Sequence, residues 1–148
     1  MADITELEYR THKHNGLDGT TPITQTVFIP VSLVATSAAT AANYGVFFVA
    51  QRNCVVVDIM EAHTVAGSDG SAVTLQVERL QGTTALDSGN VLLSTAFNLK
   101  STANTYVRGA LVKDGSTSLK KGDRLALKDS GVLTDVAGVC VTVTIKFT

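Results

Sequence analysis

The sequence VCVTVTIKF at residues 139–147 decides the fold class. Apolar side chains stand at every second position of this stretch, namely Val139, Val141, Val143, Ile145 and Phe147. The positions between them carry Cys, Thr or Lys. Because successive side chains of a β-strand point to opposite faces, this period predicts a strand with one face on a core. The other face is expected to meet solvent or a neighbouring molecule.

Further strands are predicted along most of the chain. The segments 73–78 and 124–128 alternate in the same way. Three fuller apolar runs, at 24–34, 45–51 and 54–60, predict strands that are covered on both faces, or nearly so.

Two of the predicted strands have features of their own. Pro30, inside the run 24–34, is expected at a sheet edge or a bulge because proline cannot donate to a strand ladder. The segment 105–113 predicts another strand, with weaker alternation.

Turn-forming residues separate these runs. The segments GSDGS (67–71), DSGN (87–90), KDGS (113–116) and DSG (129–131) are typical of tight connections. For GSDGS we expect a hairpin turn in which Asp69 and Gly70 supply positive φ angles. Short strands joined by short turns predict an all-β protein, an antiparallel β-sandwich of jelly-roll type with about eight strands.

The chain divides into two parts by composition. Residues 1–22 are polar and show neither helical nor strand periodicity, so they are interpreted as an extended N-terminal arm. Residues 23–148 are assigned to the β-sandwich domain. We expect a domain of this length to bury a core without metal or disulfide staples.

The bulk composition limits the classes of partner. The 148 residues are 45% hydrophobic and 17% charged, with a formal net charge of -1. This charge predicts no binding to nucleic acid or to an anionic membrane. No apolar run approaches the roughly 18 residues that span a bilayer, and the N-terminal residues lack the apolar segment of a secretory signal. We therefore expect synthesis in a host cytoplasm, and the low charge is typical of a chain that buries surface in an oligomer.

Catalytic groupings are weak. His63 stands two residues after Glu61, which could be interpreted as a general base held by a carboxylate, but a histidine at a strand end is the preferred interpretation. Cys54 and Cys140 fall in or beside apolar runs and are interpreted as small buried hydrophobes rather than as a disulfide. The sequence therefore predicts a protein that is not an enzyme.

His12 and His14 form the one histidine pair of the arm. In an extended chain, residues i and i+2 point the same way, so both imidazoles would share one face. Three arms meeting on a threefold axis could place these imidazoles around one first-row transition metal. The alternative is a pair of solvated histidines, or histidines that hydrogen-bond a partner surface. Apart from this metal, no cofactor is predicted.

Parts of the chain resemble a known class of protein. The pieces that carry the resemblance are GSDGSAVTL (67–75), LLSTAFNLKSTANT (92–105) and the ending GDRLAL…SG…VTVTIK. Over about residues 44–148, the chain resembles small β-rich virion proteins of tailed bacteriophages, of the head decoration, cement or head-fibre type. The arm HKHNGLDGTT (12–21) is similar to H-x-H-[ND]-G-x-D segments of phage fibre and appendage proteins.

The resemblance implies a function and a set of partners. It implies a jelly-roll homotrimer on the capsid surface of a virion, which clamps subunits of the major capsid protein through its arm. The arm residues expected to contact the capsid are Tyr9, Arg10, His12, His14, Asn15 and Asp18. In long trimeric tail fibres, H-x-H pairs chelate iron on the fibre axis. The resemblance implies this role here only for His12 and His14.

A second function stays open. The chain could be a tail fibre or baseplate adaptor domain with a carbohydrate-binding role. In that case the aromatic residues that would stack on sugars are Tyr44, Phe47, Phe48 and Tyr106, although core positions are the preferred interpretation for them. A hydrolase or metal-dependent enzyme on a small β-sandwich is the third and least supported class.

Overall fold

Two antiparallel β-sheets make up the molecule. The computed structural model describes residues 26–33, 41, 45–133 and 135–148. These residues form ten strands: β1 (Thr26–Leu33), β2 (Val46–Val49), β3 (Cys54–Ala62), β4 (Thr74–Leu80), β5 (Asn90–Val91), β6 (Phe97–Asn98), β7 (Tyr106–Arg108), β8 (Ser118–Leu119), β9 (Arg124–Ser130) and β10 (Val139–Phe147). The predicted all-β sandwich is confirmed. The jelly-roll topology stays a prediction. The boundary at residue 22 also stays a prediction, because the arm lies outside the described residues.

Each sheet has five strands. The first sheet has the order β1-β10-β3-β7, with β8 also pairing with β3. The second has the order β2-β9-β4-β5, with β6 also pairing with β4. In the first sheet β1 lies along the whole of β10, from Thr26 opposite Lys146 to Leu33 opposite Val139.

The core lies between the two sheets. The alternation seen in the sequence directs Val141 and Val143 inward from β10, and Leu75 and Leu127 inward from the second sheet. Fully burying each of these side chains stabilises the fold by about 1.5–3 kcal/mol. The register of β10 against β3 shifts between Thr144 and Ile145, where β3 contains one extra residue, Val57.

Two strands are less covered than their sequences predict. In β1, Val27, Ile29 and Val31 pack against the core, but Phe28 is 65% exposed. In β2, Val46 and Val49 are exposed. The prediction that both strands are covered on both faces is therefore wrong for this chain by itself. The reason is that β1 and β2 are edge strands whose outer sides meet no third layer in the described part of the chain. The edge position predicted for Pro30 is confirmed.

The prediction of one strand over 105–113 is also wrong. The strand ends at Arg108, because the chain then leaves β3 and pairs irregularly with residues 92–94. The amide of Ser94 donates to the carbonyl of Ala110 at 2.8 Å, and the amide of Val112 donates to the carbonyl of Leu92 at 2.9 Å.

The GSDGS segment is not a hairpin turn. It leads from β3 in the first sheet to β4 in the second, and neither Asp69 nor Gly70 has a positive φ. Packed sheets lie about 10 Å apart, so the connection must cross the end of the sandwich rather than reverse within one sheet. Positive φ angles occur instead at Asp87, Gly115 and Gly131, in the other three predicted turns.

Candidate interaction surface

One broad surface of the sandwich carries large apolar side chains that none of the described residues covers. It is the side of the first sheet that points away from the second sheet, and we call it the outer face. Strand register places on it Phe28, Pro30 and Ser32 of β1, Cys140 and Thr142 of β10, Met60 and Ala62 of β3, and Tyr106 and Arg108 of β7. The surface therefore crosses four neighbouring strands.

The outer face has two protruding aromatic side chains and a recess. Tyr106 is 73% exposed, and Phe28 stands out from the edge strand. Between β10, β3 and β7 lies a depression of about 310 Å³, lined by Met60, Ala62, Tyr106, Cys140 and Thr142, with Glu61 beneath. Several large apolar side chains exposed side by side are typical of a surface that another molecule covers.

The formal charges around the depression cancel. The guanidinium Nε of Arg108 donates to Oδ1 of Asp58 at 2.7 Å. The arginine side chain is 69% exposed and that of the aspartate 19%. An exposed pair of this kind contributes little stability, but it leaves this part of the face without net charge.

The corresponding side of the second sheet is covered in part by the chain itself, although Val46 and Val49 of its edge strand stay exposed. Residues 81–89 lie over this side and are anchored by its charged side chains. Nζ of Lys128 donates to the backbone carbonyl of Asp87 at 2.6 Å. The guanidinium of Arg124 donates to the backbone carbonyl of Thr84 at 2.8 Å. The carboxylate of Glu78, fully buried, accepts from the backbone amides of Asp87 and Gly89, each at 2.8 Å. Among the described residues, a loop thus covers much of this side, whereas none of them covers the outer face of the first sheet.

A buried acid–base pair lies directly beneath the depression. Glu61 and His63, at the end of β3, are each 1% exposed. Oε1 of Glu61 lies 2.9 Å from Nδ1 of His63, and Nε2 of His63 lies 3.2 Å from the backbone carbonyl of Ser101. Burial raises the pKa of Glu61, partly offset by its hydrogen bond to His63.

The geometry of this pair fixes what it can do chemically. Nε2 faces a carbonyl and must donate, so one proton is shared between Nδ1 of His63 and Oε1 of Glu61. Because the ring points at a carbonyl rather than at a hydroxyl, and solvent does not reach it, the pair is structural. This agrees with the interpretation of His63 as a histidine at a strand end.

The other candidate residues fall in different places. Cys54 is buried and Cys140 half-buried, and both are free thiols. Phe47 and Phe48 pack against the core, as expected, whereas Tyr106 is exposed, so its core assignment is wrong. Its strand β7 is an edge of three residues that nothing in the described segments covers. Tyr44 lies outside the described residues.

The proposed capsid-binding and metal-binding residues also lie outside the described residues: Tyr9, Arg10, His12, His14, Asn15 and Asp18. Within residues 26–33, 41, 45–133 and 135–148, no three His, Cys, Asp or Glu side chains are grouped so as to hold a metal ion. No helix among the same residues is long and apolar enough to cross a membrane.

Sequence reasoning did not identify the outer face. A signal was present, because the runs 24–34 and 54–60 carry apolar residues at both alternating positions. This fullness predicts strands that are covered on both faces, or nearly so, and apolar strand faces are expected to join copies in a trimer. In the structure, the second set of apolar side chains, including Phe28 and Met60, faces outward.

The fold is shared with chains of two bacteriophage capsids. A chain of the cyanophage Pam1 capsid asymmetric unit superposes with a TM-score of 0.51 at 12% identity, over 85% of this chain and 86% of that chain. A chain of the capsid of Ralstonia phage GP4 superposes with a TM-score of 0.50 at 14% identity, over 86% of this chain and 84% of that one. No protein-family model and no curated protein matches the sequence.

These similarities concern whole domains. Nearly equal coverage in both directions means that the matched chains are of about the same length as this one. At identities this low, the similarity shows that the fold is common to these proteins. The two-sheet sandwich is therefore a fold that occurs as a small separate chain in phage capsids.

Proposed function

We propose that this chain is a structural protein of a phage virion, located on the capsid surface as a decoration, cement or head-fibre protein. The observation that carries the proposal is the match of the whole sandwich to chains of similar length in two phage capsids. The open outer face adds support, because a protein that works by binding others needs an apolar surface rather than a catalytic cleft. No catalytic step is part of the proposal.

The proposed mechanism is a clamp. The protein forms a homotrimer, and its arm of residues 1–22 contacts the major capsid protein through Tyr9, Arg10, His12, His14, Asn15 and Asp18. A molecule that binds only the assembled shell shifts the assembly equilibrium toward that shell. Linking several arms in one trimer raises the effective concentration of each, so that modest individual contacts sum to firm attachment.

His12 and His14 are proposed to bind a transition metal only where three arms meet on a threefold axis. Elemental analysis of the purified protein, compared with a His12→Ala, His14→Ala variant, tests this. We expect metal in the first sample and its loss in the second, while Lys13→Ala retains it. Equal metal content in both samples would rule out the site.

Labelled particles would test the location. A gold-labelled tag on the chain, imaged on purified particles of the phage that encodes it, should mark the whole head surface. Label confined to the tail would favour the second candidate, a fibre or baseplate adaptor, for which the exposed Tyr106 is the available aromatic side chain. The absence of the chain from purified particles would overturn both.

A further inference from the structure

We propose that the outer face is the contact between copies of this chain, and specifically that Phe28 of one copy fills the depression of the next. This inference rests on the proposed homo-oligomer and names the surface that forms it. The depression has the volume of a small ligand pocket, at the lower end of the range near 300 Å³. Its lining of Met, Ala, Cys and Thr suits a phenyl ring.

The first argument is the contrast between the two sides of the sandwich. The outer side of the second sheet is covered in part by residues 81–89, which Lys128 and Arg124 anchor. The first sheet has no such cover in the described part of the chain, yet β1 and β3 carry apolar side chains on its open side. A chain that covers much of one side with its own loop and leaves the other apolar presents the open side to another molecule.

The few charges of the outer face exclude a strongly charged partner. A partner with a strong charge of either sign would need an opposite charge on this face. The only ion pair among the described residues of the face joins Arg108 to Asp58, one cation and one anion. The face also carries the exposed Lys146, opposite Thr26, so its charges are few and of both signs and do not match a strongly acidic or basic partner.

The third argument concerns how the copies meet. Pro30 is in the middle of the edge strand β1, opposite Thr142 of β10. Its nitrogen has no proton, so β1 cannot present an unbroken row of donors to a strand from another copy. The copies therefore meet through side chains of the outer face rather than by extending the sheet.

Phe28 and the depression occupy separate places on the outer face. Phe28 lies opposite Thr144, whereas the depression is centred on Thr142 and Cys140, farther along the strands and toward β7. Because both places lie on the same face, Phe28 of each copy can fill the depression of the other, which is the reciprocal contact of a twofold pair. A second copy of the chain therefore supplies the side chain that fits this depression.

The experiment compares masses in solution by light scattering. The variants are Phe28→Glu and Tyr106→Glu on the outer face, with Val49→Glu as the control on the edge strand of the second sheet. Val49 is 47% exposed and lies opposite Arg124. Circular dichroism melting curves verify that each variant is folded, and all three changes are at exposed positions.

We expect the wild type and the Val49 variant to have the same oligomeric mass. We expect both outer-face variants to be monomers, their association weakened by about a hundredfold or more, because each buries an unpaired carboxylate at the contact. A wild type that is monomeric, or outer-face variants that keep the wild-type mass, would overturn the inference.

Two outcomes separate this inference from the proposed function. If the outer-face variants keep their mass and still co-sediment with phage particles, the inference fails and the virion function stands. If they dissociate but the wild type is absent from purified particles, the copy–copy contact stands and the virion function fails. A mass of two chains that the outer-face changes abolish would support this face and exclude the trimer.

Discussion

Single residues show where the physical chemistry of this fold is most constrained. Glu61 is the clearest case, because its carboxyl group is removed from water and contacts one histidine. Burial raises its pKa above the ordinary value of 4.5. The folded chain therefore holds this proton more firmly than the unfolded chain does.

A dependence of stability on pH follows from Glu61. Its contribution is complete below the unfolded pKa and is lost as pH rises through the higher folded pKa. Glutamine keeps the shape but cannot ionise, so the Glu61→Gln variant should lack this decline. Urea unfolding of both proteins between about pH 4 and pH 8 gives the comparison. A difference in free energy of unfolding that stays constant over this range would contradict the prediction.

A second residue-scale prediction uses two glycines with the same φ of +91°. At Gly122 an added Cβ would meet nothing within 4 Å, whereas at Gly131 it would collide with the backbone carbonyl of Ala72. Gly122→Ala should cost about 1–2 kcal/mol of backbone strain. Gly131→Ala should cost about 1–3 kcal/mol more, because the backbone of the neighbouring segment must move. Equal midpoints of urea unfolding for the two variants would count against this packing.

At the scale of elements, β1 shows how an edge strand is protected. It is eight residues long and pairs on one side only, with β10. Long exposed edges are templates for association between chains. Pro30 interrupts the free edge without breaking the ladder to β10.

Restoring an amide at position 30 should expose this risk. We expect Pro30→Thr to remain folded but to aggregate faster in turbidity measurements, because the free edge gains a donor. Ser32→Thr, on the same face of the same strand, changes a side chain and adds no donor. Similar aggregation of the two variants would indicate that the proline does not protect the edge.

The elements also show how far the sequence alone could be interpreted. The alternation in 139–147 and 73–77 gave strands in the right places, because a period of two residues has one structural meaning on an amphipathic strand. The register shift beside Thr144 left no trace in the pattern. The crossing at residues 67–71 was missed because turn residues indicate a change of direction but not which sheet comes next.

The candidate surface was less predictable for a physical reason. Apolar residues at both alternating positions predict that both sides of a strand are covered. They do not indicate which molecule covers each side. Phe28 and Met60 belong to runs of this kind. Only the arrangement of the two sheets shows that these side chains face outward. Glu61 and His63 share one strand face by their spacing, whereas their burial depends on residues around Ser101, far along the chain.

At the scale of the whole molecule, the arm and the sandwich are proposed to have separate tasks. The described strands and core residues lie between Thr26 and Phe147. Deleting residues 1–22 should therefore leave the urea midpoint nearly unchanged while abolishing co-sedimentation with phage particles. A truncated chain that still loads onto particles would show that the arm is not the anchor.

The place of β10 in the first sheet has a consequence for the timing of folding. Among the described strands, β1 pairs only with β10, and β3 has its longest pairing with β10. The sheet that carries the outer face is therefore incomplete until residues 139–147 have left the ribosome. Pairing between segments this distant is slow to form. A chain that stops early would lack the surface that we propose as the contact between copies, so under this proposal only finished subunits can join an assembly.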